Sequence, residues 1–449
     1  MTIDRRTLML GSFAGAAVAA APANAASVPA GGLDAAQFGL RPGAADDQSA
    51  KLQRAVDQAA RTRVPLWLAP GVYRAGGITL APGAQIVGVR GSTRLVFTQG
   101  PSLLAAEHAE AISLSGLSFD GGGRKLPEQR GLVHLHTAGK LRISDCEFLQ
   151  AGGNALALEQ CEGEVARCLI EAAAENAIFS LDSGGLIIAA NTIRGSGNGG
   201  IRVWQGEKRR DGSLIADNRI EDTAARAGGT GENGNAINVF KADNVIVRNN
   251  TIRKAAFSAI RGNAASDIQI IGNNCVGLDE VAIYSEFDFE GALVADNVID
   301  EAGSGISITN FKEGGRLATV RGNFVRNVHA RIAGAAPETE GFGIGVEADT
   351  AVTGNVIENA ETAGIVAGWG EYLRDVAISG NVIRKAFVGI GISVARGAGS
   401  ALIDSNVISD APRGAVVGLD HARPITPDLS AEGAQRFAQV VIGTNAVRR

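Results

Sequence analysis

A short pattern of polar and apolar residues recurs along the chain. Asparagine is followed by one variable residue and then isoleucine or valine, and after a polar turn comes a segment of the form Gly-Ile-x-Ile. Asp296–Ile308 contains both parts. The first part starts at Asn191, Asn218, Asn250, Asn297, Asn323, Asn355, Asn381 and Asn406, with looser copies at Cys146, Cys168 and Asn274. Successive starts lie 22 to 32 residues apart, and a period in this range predicts a solenoid.

The alternation inside each copy predicts strands rather than helices. In Gly305-Ile306-Ser307-Ile308, the two isoleucines point to one face of a strand and Ser307 points to the other. Stacked coils bury the aliphatic face, and an asparagine at each corner can bond backbone groups that the turn leaves unpaired. The sequence therefore predicts an all-β, single-stranded parallel β-helix of about eleven or twelve coils.

The two ends of the solenoid need protection because an exposed strand edge pairs with other chains. After Asp46-Asp47, apolar residues at Leu52, Val56 and Ala59 predict an amphipathic helix that caps the first coil. We therefore divide the chain into a leader at 1–25, an N-terminal segment with the capping helix at 26–65, and the β-helix with a C-terminal partial coil at 66–449.

The first residues predict export. Arg5-Arg6 precedes an apolar run from Leu8 to Ala21 and the small-residue sequence Ala23-Asn24-Ala25, an arrangement typical of a twin-arginine signal cleaved after Ala25. The alternative is a chance arginine pair in a general secretory signal. Both interpretations place the mature protein in the periplasm or outside the cell, and the first makes the twin-arginine machinery a partner. The rest of the sequence contains no apolar run long enough to predict a membrane span.

The composition of the chain limits the kinds of partner, cofactor and disulfide that we expect. The net charge of −5 argues against nucleic-acid binding, which needs a basic surface. We find no cofactor motif in the sequence and expect no cofactor. Cys146 and Cys168 occupy the asparagine position of successive coils, where a disulfide is within reach. Buried thiols are the favoured alternative, because cysteine is among the most buried residue types.

At this point the chain resembles a known group of proteins. The predicted helix, the sequence Leu66-Trp67-Leu68-Ala69-Pro70-Gly71-Val72-Tyr73 and the repeats that follow resemble the right-handed parallel β-helix proteins of the pectate-lyase-like superfamily. Together with Arg5-Arg6 and the segment 35–43, they are similar to a family of twin-arginine-translocated β-helix repeat proteins. The resemblance implies a right-handed β-helix over nearly the whole mature chain and leaves the reaction open.

Functional residues are expected on the outward positions of the Gly-Ile-x-Ile strands. In the middle coils these positions concentrate aromatic and polar side chains. Two long insertions, Asp222–Asn235 and Val328–Phe342, flank them, and loops of this length are commonly functional. The predicted polysaccharide-binding residues are Arg202, Trp204, Asn238, Phe240, Asn263, Ser307, Thr309 and Glu347.

The predicted chemistry is β-elimination or C5-epimerisation of an anionic polysaccharide. These reactions need a base, an acid and a cation that holds the sugar carboxylate. Candidates of these types lie on neighbouring coils: Tyr284, Arg261, Glu286, Asp288 and Lys241. The pattern Tyr-x-x-Phe-Asp at 284–288 is weakly similar to the Tyr-Gly-Phe-Asp of alginate epimerases, although the Pro-His that follows in those enzymes is missing here.

Three alternatives stay open. An inverting hydrolase needs two separated carboxyl groups, which Glu286 with Asp288 or Glu347 would supply. His134, His136 and Glu159 would suit zinc by residue type, but exposed polar residues are the favoured interpretation of this group. The third alternative is that the protein is not an enzyme but a carbohydrate-binding or cell-envelope structural protein.

Overall fold

The computed structural model describes residues 31–229, 231–331 and 340–448. Its chain winds as a parallel β-helix in which each turn contributes to three ladders of strands, here called sheets A, B and C. In the turn around Asp296, Glu290–Ala295 lies in sheet A, and the long strand Val298–Ile308 serves sheets B and C. The all-β fold expected from the repeats is confirmed.

Several long strands bend at a corner and belong to two ladders. Sheet A contains Leu33–Asp34, Leu66–Trp67, Gln85–Val87, Leu104–Ser115, Gly131–Ser144, Gly163–Ala166, Ile187–Ala189, Leu214–Ala216, Ile246–Arg248, Ile268–Ile271, Glu290–Ala295, Arg316–Arg321, Thr350–Thr353, Val376–Ser379, Ala401–Asp404 and Val440–Ile442. Sheet B contains Gly71–Ala75, Thr93–Phe97, Ser118–Asp120, Glu147–Leu149, Leu169–Glu171, Thr192–Arg194, Arg219–Thr223, Thr251–Ala255, Asn274–Glu286, Val298–Ile308, Phe324–Val328, Val356–Ala367, Val382–Ser393, Val407–Ser409 and Ala446–Arg448. Sheet C contains Ile78–Thr79, Leu104–Ser115, Gly131–Ser144, Asn154–Glu159, Asn176–Leu181, Gly199–Arg210, Asn235–Asp243, Ile260–Asn263, Asn274–Glu286, Val298–Ile308, Phe342–Val346, Val356–Ala367, Val382–Ser393 and Gly414–Asp420.

The number of turns is higher than the repeat count suggested. Sheet C links fourteen strands by parallel pairing within the described residues, against the expected eleven or twelve coils. The additional turns precede Cys146, where strands such as Thr93–Phe97 and Ser118–Asp120 are not introduced by asparagine. These turns therefore form without the asparagine ladder, and buried Thr93 bonds the Leu68 carbonyl in one of them.

A ladder of buried asparagines holds the corner between sheets A and B. The Oδ1 atom of Asn297 accepts hydrogen bonds from the backbone N–H and Nδ2 of Asn273 at 2.9 and 3.0 Å. Its own Nδ2 donates to the Ile270 carbonyl at 2.9 Å and to Asn323 Oδ1 at 3.0 Å. The same bonding links Asn191, Asn218, Asn250, Asn273, Asn297, Asn323, Asn355, Asn381, Asn406 and Asn445.

One copy of the repeat starts one residue earlier than expected. Asn273, not Asn274, occupies the ladder, so Cys275 takes the buried position of the isoleucine and Asn274 is exposed. Because Asn273 and Asn274 are consecutive, the sequence pattern is compatible with a repeat that starts at either one. The structure has the register that starts at Asn273, which buries Cys275 and exposes Asn274.

All four cysteines are buried free thiols. Cys146 and Cys168 continue the asparagine ladder toward the N-terminus, and the Cys168 backbone N–H donates to Asn191 Oδ1 at 2.9 Å. Burial, reinforced by the neighbouring Cys168 thiol, raises the pKa of Cys146 well above its ordinary value. The favoured thiol interpretation therefore describes this structure.

An additional element packs against the strands at each end of the β-helix. The helix Ser49–Thr62 buries Leu52, Val56 and Ala59 against the first strands, and the short 3-10 helix Ala35–Phe38 precedes it. At the other end, Arg423–Asp428 pairs antiparallel with Gly414–Asp420 of sheet C. The helices Phe311–Glu313, a 3-10 turn, and Leu429–Glu432 complete the described secondary structure.

The predicted leader, residues 1–25, lies outside the described residues. Among the helices that are described, none combines the length and apolar character needed to cross a membrane.

Candidate functional site

The outward positions of sheet C line up as the sequence alternation predicted. Pairing of successive strands gives two parallel columns of side chains. The first column contains His134, Ala157, Phe179, Arg202, Asn238, Arg261, Tyr284, Ser307, Gly345, Val366 and Gly391. The second contains His136, Glu159, Leu181, Trp204, Phe240, Asn263 and Glu286. Nine of the predicted catalytic and binding residues therefore lie in these two columns: Arg202, Trp204, Asn238, Phe240, Arg261, Asn263, Tyr284, Glu286 and Ser307.

Arg261 lies at the centre of this face but is buried. Its Nε atom is 2.6 Å from Glu286 Oε1, and its Nη1 atom is 3.3 Å from Glu280 Oε2. Burial by itself lowers the pKa of Arg261, but Glu286 and Glu280 together raise it above its ordinary value. The guanidinium that was expected to hold a sugar carboxylate is thus already paired with two carboxylates of the protein.

Glu280 is the residue that sequence reasoning missed. It lies at a register irregularity between Leu278 and Val281, where the strand Asn274–Glu286 passes from sheet B to sheet C. Burial raises the pKa of Glu280, and Arg261 counteracts that rise. In the sequence, Glu280 is one of two adjacent acidic residues in the turn between Leu278 and Val281, and the pattern does not distinguish it from Asp279.

Tyr284 packs against the same arginine. The Arg261 guanidinium carbon is 4.9 Å from the centre of the Tyr284 ring, within the range of a cation–π contact. Burial, reinforced by the charge of Glu286, raises the pKa of Tyr284 to about 12. Its hydroxyl is therefore protonated at neutral pH and is poorly suited to act as a base without a partner that removes the proton.

An aromatic cavity of about 360 Å³ lies on the N-terminal side of Arg261. The Trp204 and Phe240 rings, with centres 5.6 Å apart, belong to its lining. Trp204 Nε1 donates to Asn238 Oδ1 at 3.1 Å, which fixes the indole. The complete lining is Trp204, Gly231, Glu232, Asn238, Phe240, Arg261, Asn263 and Phe287, so four predicted binding residues come together here.

The 222–235 insertion forms one edge of the aromatic cavity through Gly231 and Glu232. It lies against sheet C, where Asn238 Nδ2 donates to the Gly231 carbonyl at 2.8 Å. The predicted catalytic residues Lys241 and Asp288 lie outside the cavity lining. Lys241 Nζ donates to the Gly206 carbonyl at 3.1 Å, and Asp288 Oδ2 is 3.2 Å from Lys208 Nζ of a strand three turns away.

Arg202 contacts two parts of the protein that border this cavity, the 222–235 insertion and the Trp204 side chain. Its Nη2 atom donates to Asn233 Oδ1 at 2.5 Å and to the Asn198 carbonyl at 3.3 Å. Its guanidinium carbon is 5.0 Å from the Trp204 ring centre. Burial lowers the pKa of Arg202 to about 10. This arginine anchors the insertion and the indole, and it is not a lining residue of the cavity.

A second, more apolar cavity of about 520 Å³ lies on the C-terminal side of Tyr284. Its apolar lining includes Phe342, Val366, Trp369, Phe387 and Leu419, and Tyr284, Ser307, Thr309 and Glu347 supply much of its polar lining. Of the predicted site residues, Trp204, Asn238, Phe240, Arg261 and Asn263 line the aromatic cavity, and Tyr284, Ser307, Thr309 and Glu347 line the apolar cavity. Arg261 of the first packs on Tyr284 of the second.

The polar side chains of the apolar cavity bond to the protein itself. Ser307 Oγ and Thr309 Oγ1 are 3.2 Å apart. Glu347 accepts the Phe311 backbone N–H at 2.5 Å, while burial raises its pKa. The three carboxyl groups considered for hydrolysis have different environments, since Glu286 pairs with Arg261 and Asp288 pairs with Lys208.

The histidine candidates lie at the N-terminal end of the same face. His134 Nε2 is 3.4 Å from Glu159 Oε1, and both residues line a polar pocket of about 220 Å³ with His136 and Arg130. Burial, aided by the positive charge of Arg130 and by His136, lowers the pKa of His134 to about 4. In the described part of the chain, no three histidine, cysteine or acidic side chains converge as a metal site requires.

Comparison with known proteins identifies the architecture. A sequence profile described as "Right handed beta helix region" matches residues 104–220 and 208–383. No curated protein has a matching sequence.

Solved structures share the fold at low sequence identity. Pre-mature gene product 12 of bacteriophage phi29 aligns with a TM-score of 0.53 and 11% identity over 86% of this chain and 69% of that one. An N-terminal fragment of the same phage protein gives 0.52 and 15% over 86% and 68%. Tailspike protein 3 of bacteriophage CBA120 gives 0.50 and 11% over 93% and 61%. At these identities the likeness extends to the fold alone.

Proposed function

The chain belongs to the right-handed β-helix family, and from this premise we propose that it is an exported protein that binds a polysaccharide along the outer face of sheet C. The aromatic cavity is the observation that carries the proposal. Trp204 and Phe240 are partly exposed there, side by side on successive turns. Aromatic rings with nearby polar groups suit ligands that have both apolar faces and hydroxyl groups.

The polar groups around these rings support a sugar ligand. Glu232 and Asn263 line the cavity beside the rings, and carboxylate and amide oxygens accept hydrogen bonds from hydroxyl groups. The Arg261 guanidinium borders the same space but is compensated by Glu286 and Glu280. The cavity therefore favours hydroxyl-rich units over strongly anionic ones.

The length of the face supports a polymer rather than a single sugar. Successive strands lie about 4.8 Å apart, so the six turns between Trp204 and Gly368 span roughly 29 Å. The aromatic cavity occupies the N-terminal part of this stretch and the apolar cavity the C-terminal part, and Arg261 of the first packs on Tyr284 of the second. We propose that one oligosaccharide segment occupies both.

The second candidate function is β-elimination or C5-epimerisation of an anionic polysaccharide. The observation that favours it is that Tyr284 and Glu347 line one cavity. Burial raises the pKa of Glu347, which suits a general acid. We place catalysis second because Arg261, the expected carboxylate clamp, is paired within the protein.

Export is the remaining part of the proposal. We propose that the protein leaves the cytoplasm folded through the twin-arginine route, on the strength of Arg5-Arg6 and the apolar run that follows. Replacing Arg5 and Arg6 by lysine should retain the protein in the cytoplasm. Continued export of that variant would assign the leader to the general secretory route instead.

The binding experiment uses the mature chain from residue 26 and a panel of neutral and uronate polysaccharides, with calorimetry and tryptophan fluorescence as readouts. Trp204→Ala and Phe240→Ala should each weaken binding by about tenfold, since an aromatic contact contributes on the order of 1 kcal/mol beyond the area that it buries. Asn244→Ala is the matched control, because Asn244 is exposed in the turn just before the sheet A strand Ile246–Arg248. Absence of binding across the panel, or binding unaffected by both aromatic changes, would refute the proposal.

Catalysis is scored in the same samples by ultraviolet absorbance of unsaturated sugar ends and by NMR of epimerised units. If the second candidate is right, Glu347→Gln abolishes product and leaves binding at the aromatic cavity intact. If no product forms while binding persists, the non-catalytic function stands.

A further inference from the structure

On the outer face of sheet B, one row of side chains changes from mostly polar to apolar about halfway along the β-helix. Each strand of this sheet presents two outward side chains, which form two columns. In the N-terminal half, the first column is mostly polar, since Arg94, Ser118 and Glu147 precede a single Leu169, and Thr192, Arg219, Thr251 and Asn274 follow it. From the next turn onward the same column contains Val298, Phe324, Val356, Val382 and Val407. We call these five residues the apolar stripe.

The apolar stripe is open to solvent. Its four valines expose 39% to 45% of their surface, and Phe324 is partly exposed. A continuous row of exposed apolar residues on a β-sheet is unusual on a monomer and marks a contact surface. The polar first half of the same column shows that the fold itself does not require apolar residues there.

The second column beside the apolar stripe alternates in charge. Asp300, Arg326, Glu358 and Arg384 follow one another on successive turns. Within the chain, Arg326 lies 2.6 Å from Asp300, and Arg384 lies 3.9 Å from Glu358. The order is therefore acid, base, acid, base alongside the apolar stripe.

This order is complementary to its own reverse. If two copies face each other antiparallel, with a twofold axis between the Arg326 and Glu358 turns, Asp300 faces Arg384 of the other copy. Arg326 then faces Glu358 of the other copy. Under the same operation Val298 faces Val382, and Phe324 faces Val356, so four of the five stripe residues meet apolar residues, while Val407 faces Asn274 at the edge of the contact. A single twofold axis satisfies both columns, as an isologous interface requires.

We propose that the C-terminal half of sheet B is a docking surface for a second copy of this chain, packed face to face and antiparallel. Charges of the N-terminal half also alternate, through Glu171, Arg194, Glu221 and Arg253. Because that half lacks the apolar stripe, it has no hydrophobic driving force and should remain free.

The expected association is weak. Four turns of a sheet extend only about 20 Å. A contact of this length buries less than the roughly 800 Å² per partner that stable complexes bury. The dimer should therefore form reversibly as protein concentration rises, and salt should weaken it because the paired charges lie at its edge.

Sedimentation over a range of roughly 10 to 500 μM protein tests the association. The wild-type mass should rise toward that of a dimer. Val356→Glu should weaken association by about tenfold or more, because a carboxylate would be desolvated against Phe324 of the partner. Thr192→Glu in the polar half of the same column is the matched control and should associate like wild type. A mass that stays monomeric throughout, or equal effects of the two changes, would overturn the proposal.

Engineered cysteines test the arrangement. Proteins carrying Val298→Cys and Val382→Cys, mixed and treated with a short bismaleimide, should become cross-linked to each other, because these positions face each other across the axis at roughly the 10 Å spacing of packed sheets, too far for a direct disulfide. Val298→Cys alone should not cross-link, since three turns, about 14 Å, separate its two copies. Efficient cross-linking of Val298→Cys with itself would exclude the antiparallel register. The native cysteines are buried and do not compete.

Discussion

Arg261 and Glu286 lie on neighbouring turns of sheet C with Nε and Oε1 only 2.6 Å apart, and both side chains are almost completely buried. Glu280 adds a second carboxylate at 3.3 Å. The group therefore fixes the border between the aromatic and apolar cavities. Its geometry is that of a structural ion-pair network as much as of a reactive site.

Removing the arginine should destabilise the fold strongly. Arg261→Ala leaves Glu286 and Glu280 buried without their counter-charge, and breaking a buried pair in this way costs about 3–5 kcal/mol. Chemical denaturation of the variant measures the loss in free energy of unfolding. Arg253→Ala, which removes an exposed arginine 3.8 Å from Glu221, is the control and should cost no more than about 1 kcal/mol. Similar losses for both variants would contradict the structural role of Arg261.

The asparagine ladder should be equally sensitive. Asn297→Ala leaves the Ile270 carbonyl and the Asn273 N–H without the bonds that they make now, and each buried unsatisfied group costs about 1–3 kcal/mol. We expect a total loss of roughly 3 kcal/mol or more, measured by denaturant titration.

Asn274→Ala is the matched control for the ladder, since Asn274 is exposed one residue after the ladder asparagine Asn273. This change should alter stability by less than about 0.5 kcal/mol. A large effect at Asn274 would mean that the repeat begins there, as the sequence pattern suggested.

His134 should make stability depend on pH between 6.5 and about 4. Its folded-state pKa is lowered to about 4 from an ordinary value of 6.5, so the unfolded chain binds the proton first as pH falls. The stabilisation is complete above pH 6.5 and is lost as pH approaches 4, with a total of up to roughly 3 kcal/mol.

Thermal unfolding at several pH values checks this slope. His134→Gln should flatten the dependence between pH 6.5 and 4, and His421→Gln, an exposed histidine, should leave it unchanged. An unaltered slope in the His134 variant would assign the pH dependence to other groups.

The four thiols should be unreactive in the folded protein. Cys146, Cys161, Cys168 and Cys275 are all buried and inaccessible to a reagent. Burial also raises the pKa of Cys161 to about 11 and that of Cys275 to about 12, so little thiolate forms there. The contact with the Cys146 thiol lowers the pKa of Cys168, so its protection rests on burial alone. A thiol-specific reagent should label none of them in buffer and all four after denaturation. If only two react after denaturation without reductant, Cys146 and Cys168 are joined in the purified protein.

Much of the site could be read from the sequence, because strand alternation fixes which residues share a face. Trp204 and Phe240 were both expected at outward positions, and pairing places them on successive turns. The roles of the polar residues could not be read in the same way. Whether Arg261 meets a ligand or Glu286 depends on the burial of both side chains, and the bulge that brings Glu280 to them has no repeat signature.

The sequence by itself determined the repeat, the all-β architecture and the orientation of each strand, since these follow from local spacing that recurs every turn. The tertiary structure decided the number of turns, the register at Asn273, and the division of the outer face into two cavities. The cavities depend on how the 222–235 insertion packs on sheet C, and the register depends on which asparagine bonds Asn297. Both kinds of contact join residues far apart in the chain. The same reason applies to the apolar stripe, which becomes a continuous surface only when Val298 and Val407 are stacked in one column.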